Sequence, residues 1–146
     1  MNVLVTNKKA YFDFEILETF EAGVSLKGTE VKSLRNGGGS LKESYITVKK
    51  HELWLINSHI APYSFGNKLN HKKNRERKLL MHKNEILKIK RNISEKSLTI
   101  VPISMYLKKG IIKLKIGIAK GKKKYDKREK IKEREEKRKI EQILKS

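Results

Sequence analysis

The segment IKLKIGIA, residues 112–119, constrains the fold more than any other, because its large apolar residues alternate strictly. Side chains of a β-strand point alternately to its two faces. One face of this strand is therefore expected to enter a core, and the other to present lysines. The core-facing residues are Ile112, Leu114, Ile116 and Ile118. The preceding KKG turn joins the strand to a second one within LTIVPISMYL, which favours an antiparallel fold.

Three further segments predict strands. AYFDFEI, residues 10–16, alternates cleanly and predicts a half-buried strand. In SYITVKKHELWLI, residues 46–48 and 53–55 alternate as the two arms of a hairpin around KKHE. RKLLM, residues 77–81, predicts another strand.

A short helix is predicted for TEVKSLRNGG. Val31 and Leu34 lie three residues apart, on one helix face. Thr29 is expected to be the N-cap, and Gly37 is expected to take the left-handed conformation after the helix.

A second helix is predicted for HKNEILKIKRNI, with Ile86, Leu87 and Ile93 facing inward. The sum is about six strands and two short helices. This pattern favours a mainly β fold class with short helices, built as a small OB-like antiparallel barrel. A barrel also removes exposed sheet edges. Residues 1–118 are assigned to this barrel.

The chain is strongly basic, with 36 Lys and Arg against 16 Asp and Glu and a formal net charge of +20. This balance indicates a polyanionic partner or an anionic membrane surface. The sequence has no cysteine, which excludes disulfides and thiolate metal sites. It has no apolar run of membrane-spanning length and no signal peptide, so a soluble, cytoplasmic protein is expected.

The last 28 residues, 119–146, differ in composition, with 13 basic and six acidic residues. Ile131 and Ile140 are nine residues apart, so no continuous apolar stripe is available to pack on the barrel. Abundant Lys, Glu and Arg favour a helix, while low hydrophobicity favours disorder in isolation. We expect a basic tail that is flexible when free and helical on a partner; a solubilising extension is the alternative.

Catalytic signals are missing from the sequence. The four histidines are scattered without metal-ligand spacing, and nucleophile and nucleotide motifs are lacking. We therefore expect neither an enzyme nor a bound cofactor or metal. Basic residues favour RNA binding instead; they include Lys8, Lys9, Lys32, Arg35 and those of the loop HKKNRERK.

Two residues stand out in these basic surroundings. Glu21 lies where a strand turns, and a carboxylate there can accept hydrogen bonds from base amino groups; an exposed turn acid is the alternative. Tyr125 is the single aromatic residue of the tail. It can stack on an RNA base, or it can dock onto the barrel.

Three stretches resemble the bacterial SsrA-binding protein family: NKKAYFDFEILETFEAGVSLKGTEVKSLRNG, RKLLMHKNEI and SMYLKKGIIKLKIGIAKGKKKYDKREKIKERE. The resemblance extends over about residues 4 to 139. It implies an oligonucleotide-binding-type barrel with a flexible tail. It also implies a monomer that binds the tRNA-like domain of transfer-messenger RNA and performs no covalent chemistry.

The resemblance further implies the partners and the contact residues. With elongation factor Tu, members accompany transfer-messenger RNA into ribosomes stalled on messages without a stop codon, and the tail lies in the decoding centre and empty messenger channel. The expected transfer-messenger RNA contacts are Asn7, Lys8, Glu21, Lys32, Arg35, Lys78, Leu80 and His82. The expected ribosome contacts are Lys120, Lys122, Lys123, Lys124, Tyr125, Asp126, Lys127, Arg128, Ile131, Lys132 and Arg134.

Three other functions are compatible with a basic barrel. A general ribosomal or assembly protein would be present on all ribosomes, whereas a rescue factor would be enriched on stalled ones. A nuclease would need clustered carboxylates or metal ligands. A membrane-binding tail would need a stripe of large apolar residues, which this chain lacks.

Overall fold

Nine strands and three helices make up the described part of the chain, residues 2–63 and 70–121 of a computed structural model. The strands are β1 (Asn2–Thr6), β2 (Phe14–Val24), β3 (Gly39–Ser40), β4 (Tyr45–Lys49), β5 (Glu52–Ile56), β6 (His59–Ile60), β7 (Arg77–Leu80), β8 (Thr99–Lys108) and β9 (Ile111–Gly121). The helices are α1 (Ala10–Asp13), α2 (Gly28–Arg35) and α3 (Lys83–Lys96).

Seven strands form one antiparallel sheet in the order β1-β8-β9-β2-β7-β5-β4, and β3 pairs with β6 in a second, two-stranded sheet. The last strand of the large sheet, β4, comes within 8 Å of β8 between Cα atoms, so the sheet curls back on itself. The predicted fold class is confirmed: a mainly β protein with short helices, built as a small OB-like antiparallel barrel.

The hairpin of β8 and β9 forms where the alternation predicts it. Lys108 lies opposite Ile111 across a two-residue turn. Both turn residues have positive φ, +51° at Lys109 and +77° at Gly110, as the favoured hairpin turns require. The aliphatic face of β9 is buried. It lies in one core with residues from the neighbouring elements, among them Leu34, Leu53, Leu55, Leu79 and Ile89.

The prediction of a continuous strand for AYFDFEI is wrong in its first half. Ala10–Asp13 is a single helical turn, and β2 begins at Phe14. The Asp13 N–H donates a hydrogen bond to the Lys9 carbonyl (2.8 Å), which closes the turn. Ala10 is still buried, in a second and smaller apolar cluster. The apolar pattern is therefore satisfied by a different backbone conformation.

The predicted helix α2 is confirmed, but its predicted N-cap is wrong. Thr29 lies inside the first turn, and its hydroxyl hydrogen-bonds Nδ1 of His71 (2.9 Å). The residue before the helix is Lys27, whose N–H donates to Oε1 of Glu30 (2.8 Å). A glutamate at the third helical position can reach back in this way and cap the helix. Gly37 has φ +80°, the left-handed conformation predicted for it.

Helix α3 is confirmed, but one of its predicted inward residues is wrong. Leu87 is 51% exposed, whereas Ile89 is fully buried. Successive residues of a helix are turned by about 100°, so Leu87 and the buried Ile89, two residues apart, point to nearly opposite sides. Ile86, Ile89 and Ile93 have the spacing of a single face, and Ile93 packs against the main core.

Strand β9 continues past residue 118, where the barrel was predicted to end. Lys120 lies opposite Glu15, and Gly121 lies opposite Phe14. The first residues of the predicted tail are therefore sheet residues, because their backbones continue the pairing with β2. Residues 122–146 lie outside the described residues, and so do the disorder and helix predicted for them.

Candidate nucleic-acid interface

The side of the sheet facing away from the main core gathers residues from β2, β7, β8 and β9, and most of them are polar. Glu21 of β2 is directly opposite Lys115 of β9, and Gly23 is opposite Lys113. Gly23 is also opposite Leu80 of β7. Facing residues of antiparallel strands point to the same side, so these residues share one surface. We call it the outer face; its residues are Glu21, Leu80, Tyr106, Lys108, Lys113 and Lys115.

Glu21 is held by two residues of β8. The Tyr106 hydroxyl donates to Glu21 Oε2 (2.6 Å). Lys108 Nζ lies 3.3 Å from Oε1 and 3.2 Å from Oε2. The hydrogen bond from Tyr106, followed by Lys108 and the charge of Lys113, holds the pKa of the Glu21 carboxyl below its usual value, against an opposing effect of partial desolvation. Glu21 is therefore an ionised acceptor at neutral pH.

Glu21 forms one wall of a cleft of about 420 Å³, which we call the Glu21 cleft. Its lining residues are Glu21, Gly23, Leu80, Met81, His82, Glu85 and Lys113. The structure thus brings Glu21 together with two other residues predicted to contact RNA, Leu80 and His82, which are distant from it in sequence. Leu80 is 52% exposed, so an apolar side chain is open to solvent beside an ionised acceptor.

Gly23 allows β2 to approach Leu80 of β7 closely at this cleft. A Cβ atom built on Gly23 would lie 3.1 Å from the Leu80 Cβ and 3.5 Å from the Leu80 carbonyl oxygen. The first of these separations is shorter than ordinary van der Waals contact between carbon atoms. A larger residue at position 23 would therefore displace Leu80.

A second depression, of about 400 Å³, lies on the other side of Glu21. We call it the Tyr106 cleft; it is lined by Val3, Thr19, Phe20, Glu21, Ser104, Tyr106, Lys108 and Lys115. Glu21 therefore lines both clefts. The Tyr106 cleft is apolar and aromatic and includes two lysines, whereas the Glu21 cleft contains Leu80 and His82.

Two more of the predicted contacts lie close to the Glu21 cleft. His82 is exposed and precedes α3, where its N–H donates to Glu85 Oε1 (3.3 Å). Lys78 of β7 points to the same side as Leu80, two residues away, and forms an ion pair with Glu52 (2.9 Å). An exposed pair of this kind contributes little to stability, so Lys78 remains available to a phosphate.

Asn7 and Lys8 lie at a different place, after the end of β1. They line a depression of about 450 Å³ with Lys9, Lys42 and residues of the segments 4–6 and 39–41. The Asn7 side-chain amide donates to the Pro102 carbonyl (2.8 Å), and the Asn7 N–H donates to the Ile103 carbonyl (2.7 Å). Asn7 therefore fastens the chain to β8, and Lys8 supplies the free charge.

Lys32 and Arg35 lie on α2, and neither lines the Glu21 cleft or the Tyr106 cleft. Both side chains are exposed. Lys32 Nζ sits 5.5 Å from the centre of the Tyr63 ring, a cation–π geometry. These two residues form a separate basic site, and the predicted contacts do not make one compact patch.

The HKKNRERK loop is only partly the basic surface that the sequence suggests, because several of its members are internal. Arg77 is fully buried, and its Nε donates to Oε2 of the buried Glu30 (2.7 Å). Arg75 Nη2 donates to the other oxygen of Glu30 (2.5 Å). His71 is buried as well, and its Nε2 donates to the Ile60 carbonyl (2.9 Å). These residues attach α2 to the 70–77 segment.

Burial alone would raise the pKa of the Glu30 carboxyl. Hydrogen bonds from Arg75 and the Lys27 N–H, together with the charge of Arg77, outweigh it and leave the pKa below its usual value. Because Arg75 and Arg77 neutralise Glu30, they add less to the outer positive potential than the sequence suggests. Lys72 and Lys73, which are exposed, remain surface cations of this loop.

Sequence reasoning misses the residues that hold Glu21. Tyr106 lies 85 positions from Glu21 in the chain, and only the strand order brings the two together. The alternation of Lys113 and Lys115 along β9 does place positive charge on this face. No signal in the sequence alone distinguishes Tyr106 from the other tyrosines.

Most of the predicted ribosome contacts lie outside the described residues. They are Lys122, Lys123, Lys124, Tyr125, Asp126, Lys127, Arg128, Ile131, Lys132 and Arg134. Lys120 is described; it is exposed and lies in β9.

Within residues 2–63 and 70–121, no helix has the length and apolar character needed to cross a membrane. In the same residues, no three His, Asp or Glu side chains are grouped as metal ligands would be.

The curled antiparallel sheet and its lysine-bearing outer face define a class: small OB-like β-barrel proteins, in which nucleic-acid binding is common. A family model described as SmpB protein matches residues 4–146. The chain belongs to the SmpB family.

Relatives of known name are similar to this chain over nearly its full length. The SsrA-binding protein of Protochlamydia amoebophila (strain UWE25) is 55% identical over 142 residues, which cover 97% of this chain and 93% of that protein. The SsrA-binding protein of Carboxydothermus hydrogenoformans is 49% identical, with 99% and 97% covered. A chain in a solved structure described as "tmRNA-SmpB: a journey to the center of the bacterial ribosome" is also similar. It has a TM-score of 0.69 and 45% identity, and the match covers 85% of this chain and 87% of that one.

Proposed function

We propose that this protein binds the tRNA-like domain of transfer-messenger RNA and delivers it to ribosomes stalled on messages that lack a stop codon. The observation that carries the proposal is the Glu21 cleft, in which Glu21, Leu80 and His82 meet on a lysine-bearing sheet face. The names of its relatives, SsrA-binding proteins, support the same function. They favour it over a general role in binding ribosomal RNA.

The chemistry of the cleft suits a folded RNA. An ionised carboxylate accepts hydrogen bonds and repels phosphate, so Glu21 selects base amino, imino or ribose hydroxyl donors. Leu80 provides an apolar surface for an unstacked base, and RNA recognition relies on such bases. Lys78, Lys113 and Lys115 neutralise phosphates next to these groups. Recognition therefore combines a negative centre with a positive rim.

The remaining predicted contacts extend this interface. Lys8, held near β1 by the anchored Asn7, contacts a phosphate at one edge, and Lys32 and Arg35 contact the RNA from α2.

We infer that the protein acts as a monomer in the cytoplasm and performs no covalent chemistry. Elongation factor Tu joins through the RNA.

The tail residues beyond Gly121 serve a different partner in this proposal. Their lysines and arginines replace counterions of ribosomal RNA in the decoding centre and empty messenger channel, and Tyr125 stacks on a base there. In this proposal the barrel binds transfer-messenger RNA, and the tail contacts the ribosome.

A gel-shift assay tests the RNA-binding step. A transcript of the tRNA-like domain is titrated with the wild-type protein, with Glu21→Ala and with Glu76→Ala. Glu76 is the matched control, because it is an exposed glutamate paired with a lysine (Lys49), as Glu21 is with Lys108. Glu21→Ala is expected to weaken binding roughly tenfold, and Glu76→Ala to leave it unchanged. Equal affinities for all three proteins would refute the proposed role of the cleft.

A further inference from the structure

We propose that Tyr106 is a positioning residue for RNA recognition: its hydroxyl, aided by Lys108, fixes the Glu21 carboxylate so that its free acceptor sites face the Glu21 cleft. This inference rests on the proposed function. It concerns a residue outside the set expected to touch RNA.

The sheet geometry gives Tyr106 this reach. Tyr106 lies on β8 and Glu21 on β2, and β9 runs between them. Tyr106 is opposite Lys113, while Glu21 is opposite Lys115. The tyrosine and the carboxylate thus approach each other over β9, and their oxygens meet at 2.6 Å. Tyr106 is only 6% exposed, so its ring is held by packing and its hydroxyl has a fixed position.

Glu21 keeps hydrogen-bond acceptor sites that its protein partners do not use, and RNA donors can bind to these sites. An ionised carboxylate has about four acceptor sites. Tyr106 takes one on Oε2, and Lys108 approaches both oxygens at 3.2–3.3 Å. Glu21 also lines the Glu21 cleft together with Leu80 and His82, and in this proposal the remaining acceptor sites lie there. A carboxylate held in advance loses less rotamer freedom when RNA binds.

The protonation states agree with this arrangement. Burial, and then the hydrogen bond to Glu21, raise the pKa of Tyr106, so its hydroxyl keeps its proton and donates. The same hydrogen bond lowers the pKa of Glu21. Donor and acceptor are therefore each stabilised in the form that recognition needs.

A double-mutant cycle separates positioning from a merely structural role. The affinity for the tRNA-like domain is measured by fluorescence anisotropy for the wild type, Tyr106→Phe, Glu21→Ala and the double variant. Tyr106→Phe keeps the ring and removes only the hydroxyl. We expect it to bind roughly threefold to tenfold more weakly. The same substitution should cause no further loss in the Glu21→Ala background, which has no side-chain acceptor for the hydroxyl. Tyr45→Phe, at an exposed tyrosine of β4, is the control and should bind like the wild type.

A second readout needs no RNA. The Glu21 side-chain carboxyl carbon is titrated by NMR in the free protein, and its pKa should be higher in Tyr106→Phe than in the wild type. If the wild-type protein fails to bind the transcript, the proposed function is refuted. The pKa of Glu21 in the two free proteins then tests the hydrogen bond between Tyr106 and Glu21 by itself. The positioning role is overturned if Tyr106→Phe binds like the wild type. It is also overturned if Tyr106→Phe costs as much affinity in the Glu21→Ala background as in the wild-type background.

Discussion

Glu30 and Arg77 are both fully buried, and Arg77 Nε donates a hydrogen bond of 2.7 Å to Glu30 Oε2. The pair joins α2 to β7, the strand that carries Leu80. Removing Arg77 would leave the buried Glu30 with the partly exposed Arg75 as its remaining ionic partner, and breaking a buried ion pair costs about 3–5 kcal/mol. We predict that Arg77→Met lowers the free energy of unfolding by about that amount, measured by urea denaturation. Arg91→Met, at an exposed arginine of α3, should change it little. Similar losses in the two variants would contradict the buried-pair account.

The stability of the protein should also fall on acidification because of Glu30. The folded-state pKa of this carboxyl lies below its usual value, so its stabilising effect is complete above the unfolded-state pKa. That effect is lost as pH falls through the folded-state pKa. Thermal midpoints are measured from pH 7 down to pH 3 for the wild type and Glu30→Gln. The wild type should lose more than the variant in the acidic half of this range. Parallel curves would mean that Glu30 contributes nothing to the acid sensitivity.

Substitution of Gly23 should damage the cleft while leaving the barrel folded. The new Cβ would lie 3.1 Å from Leu80 Cβ, so Leu80 must move away from residue 23 by a few tenths of an ångström. We predict that Gly23→Ala lowers RNA affinity severalfold in a gel shift while the circular dichroism spectrum is kept. Gly28→Ala is the matched control, because a Cβ at Gly28 has no heavy atom within 4 Å. Wild-type affinity for Gly23→Ala would show that the position of Leu80 is unimportant.

Truncation should separate the two proposed partners. The last described strand ends at Gly121, so a stop codon after Gly121 preserves the whole sheet. That protein should bind the tRNA-like domain almost as well as the full chain but fail to support peptide tagging on stalled ribosomes in vitro. A stop after Ala119 also removes the two residues paired with Phe14 and Glu15, and it should melt at a lower temperature. Loss of RNA binding in the protein ending at Gly121 would argue against the division.

The sequence predicts those parts of the fold that depend on local patterns. The alternation in β9 and the KKG turn suffice for the β8–β9 hairpin, because a strand with one apolar face has a single way to bury it. The same reasoning fails at Ala10–Asp13, where one helical turn buries Ala10 as well as a strand would. The adjacent pair Ile86 and Leu87 misleads because apolar character alone does not specify which face of the helix is covered.

Long-range relationships in the site are beyond a single sequence. Arginine is usually exposed, and nothing local indicates that Arg77 is buried against Glu30, 47 residues away. Glu21, Leu80 and His82 enter the prediction through family resemblance, and the fold brings them into one cleft. Tyr106 enters through neither route, because its role depends on the side-by-side order of β8, β9 and β2.

The most direct test of the claim that the Glu21 cleft binds transfer-messenger RNA is to sequence the RNA that co-purifies with the protein. The full-length wild type and the Glu21→Gln variant are each expressed in a separate culture of the native host. The account predicts one dominant RNA with a tRNA-like end on the wild type and a large reduction of that RNA on the variant, with equal protein recovery. Fragments of ribosomal RNA in place of a dominant species, or the same dominant RNA at the same level on both proteins, would contradict it.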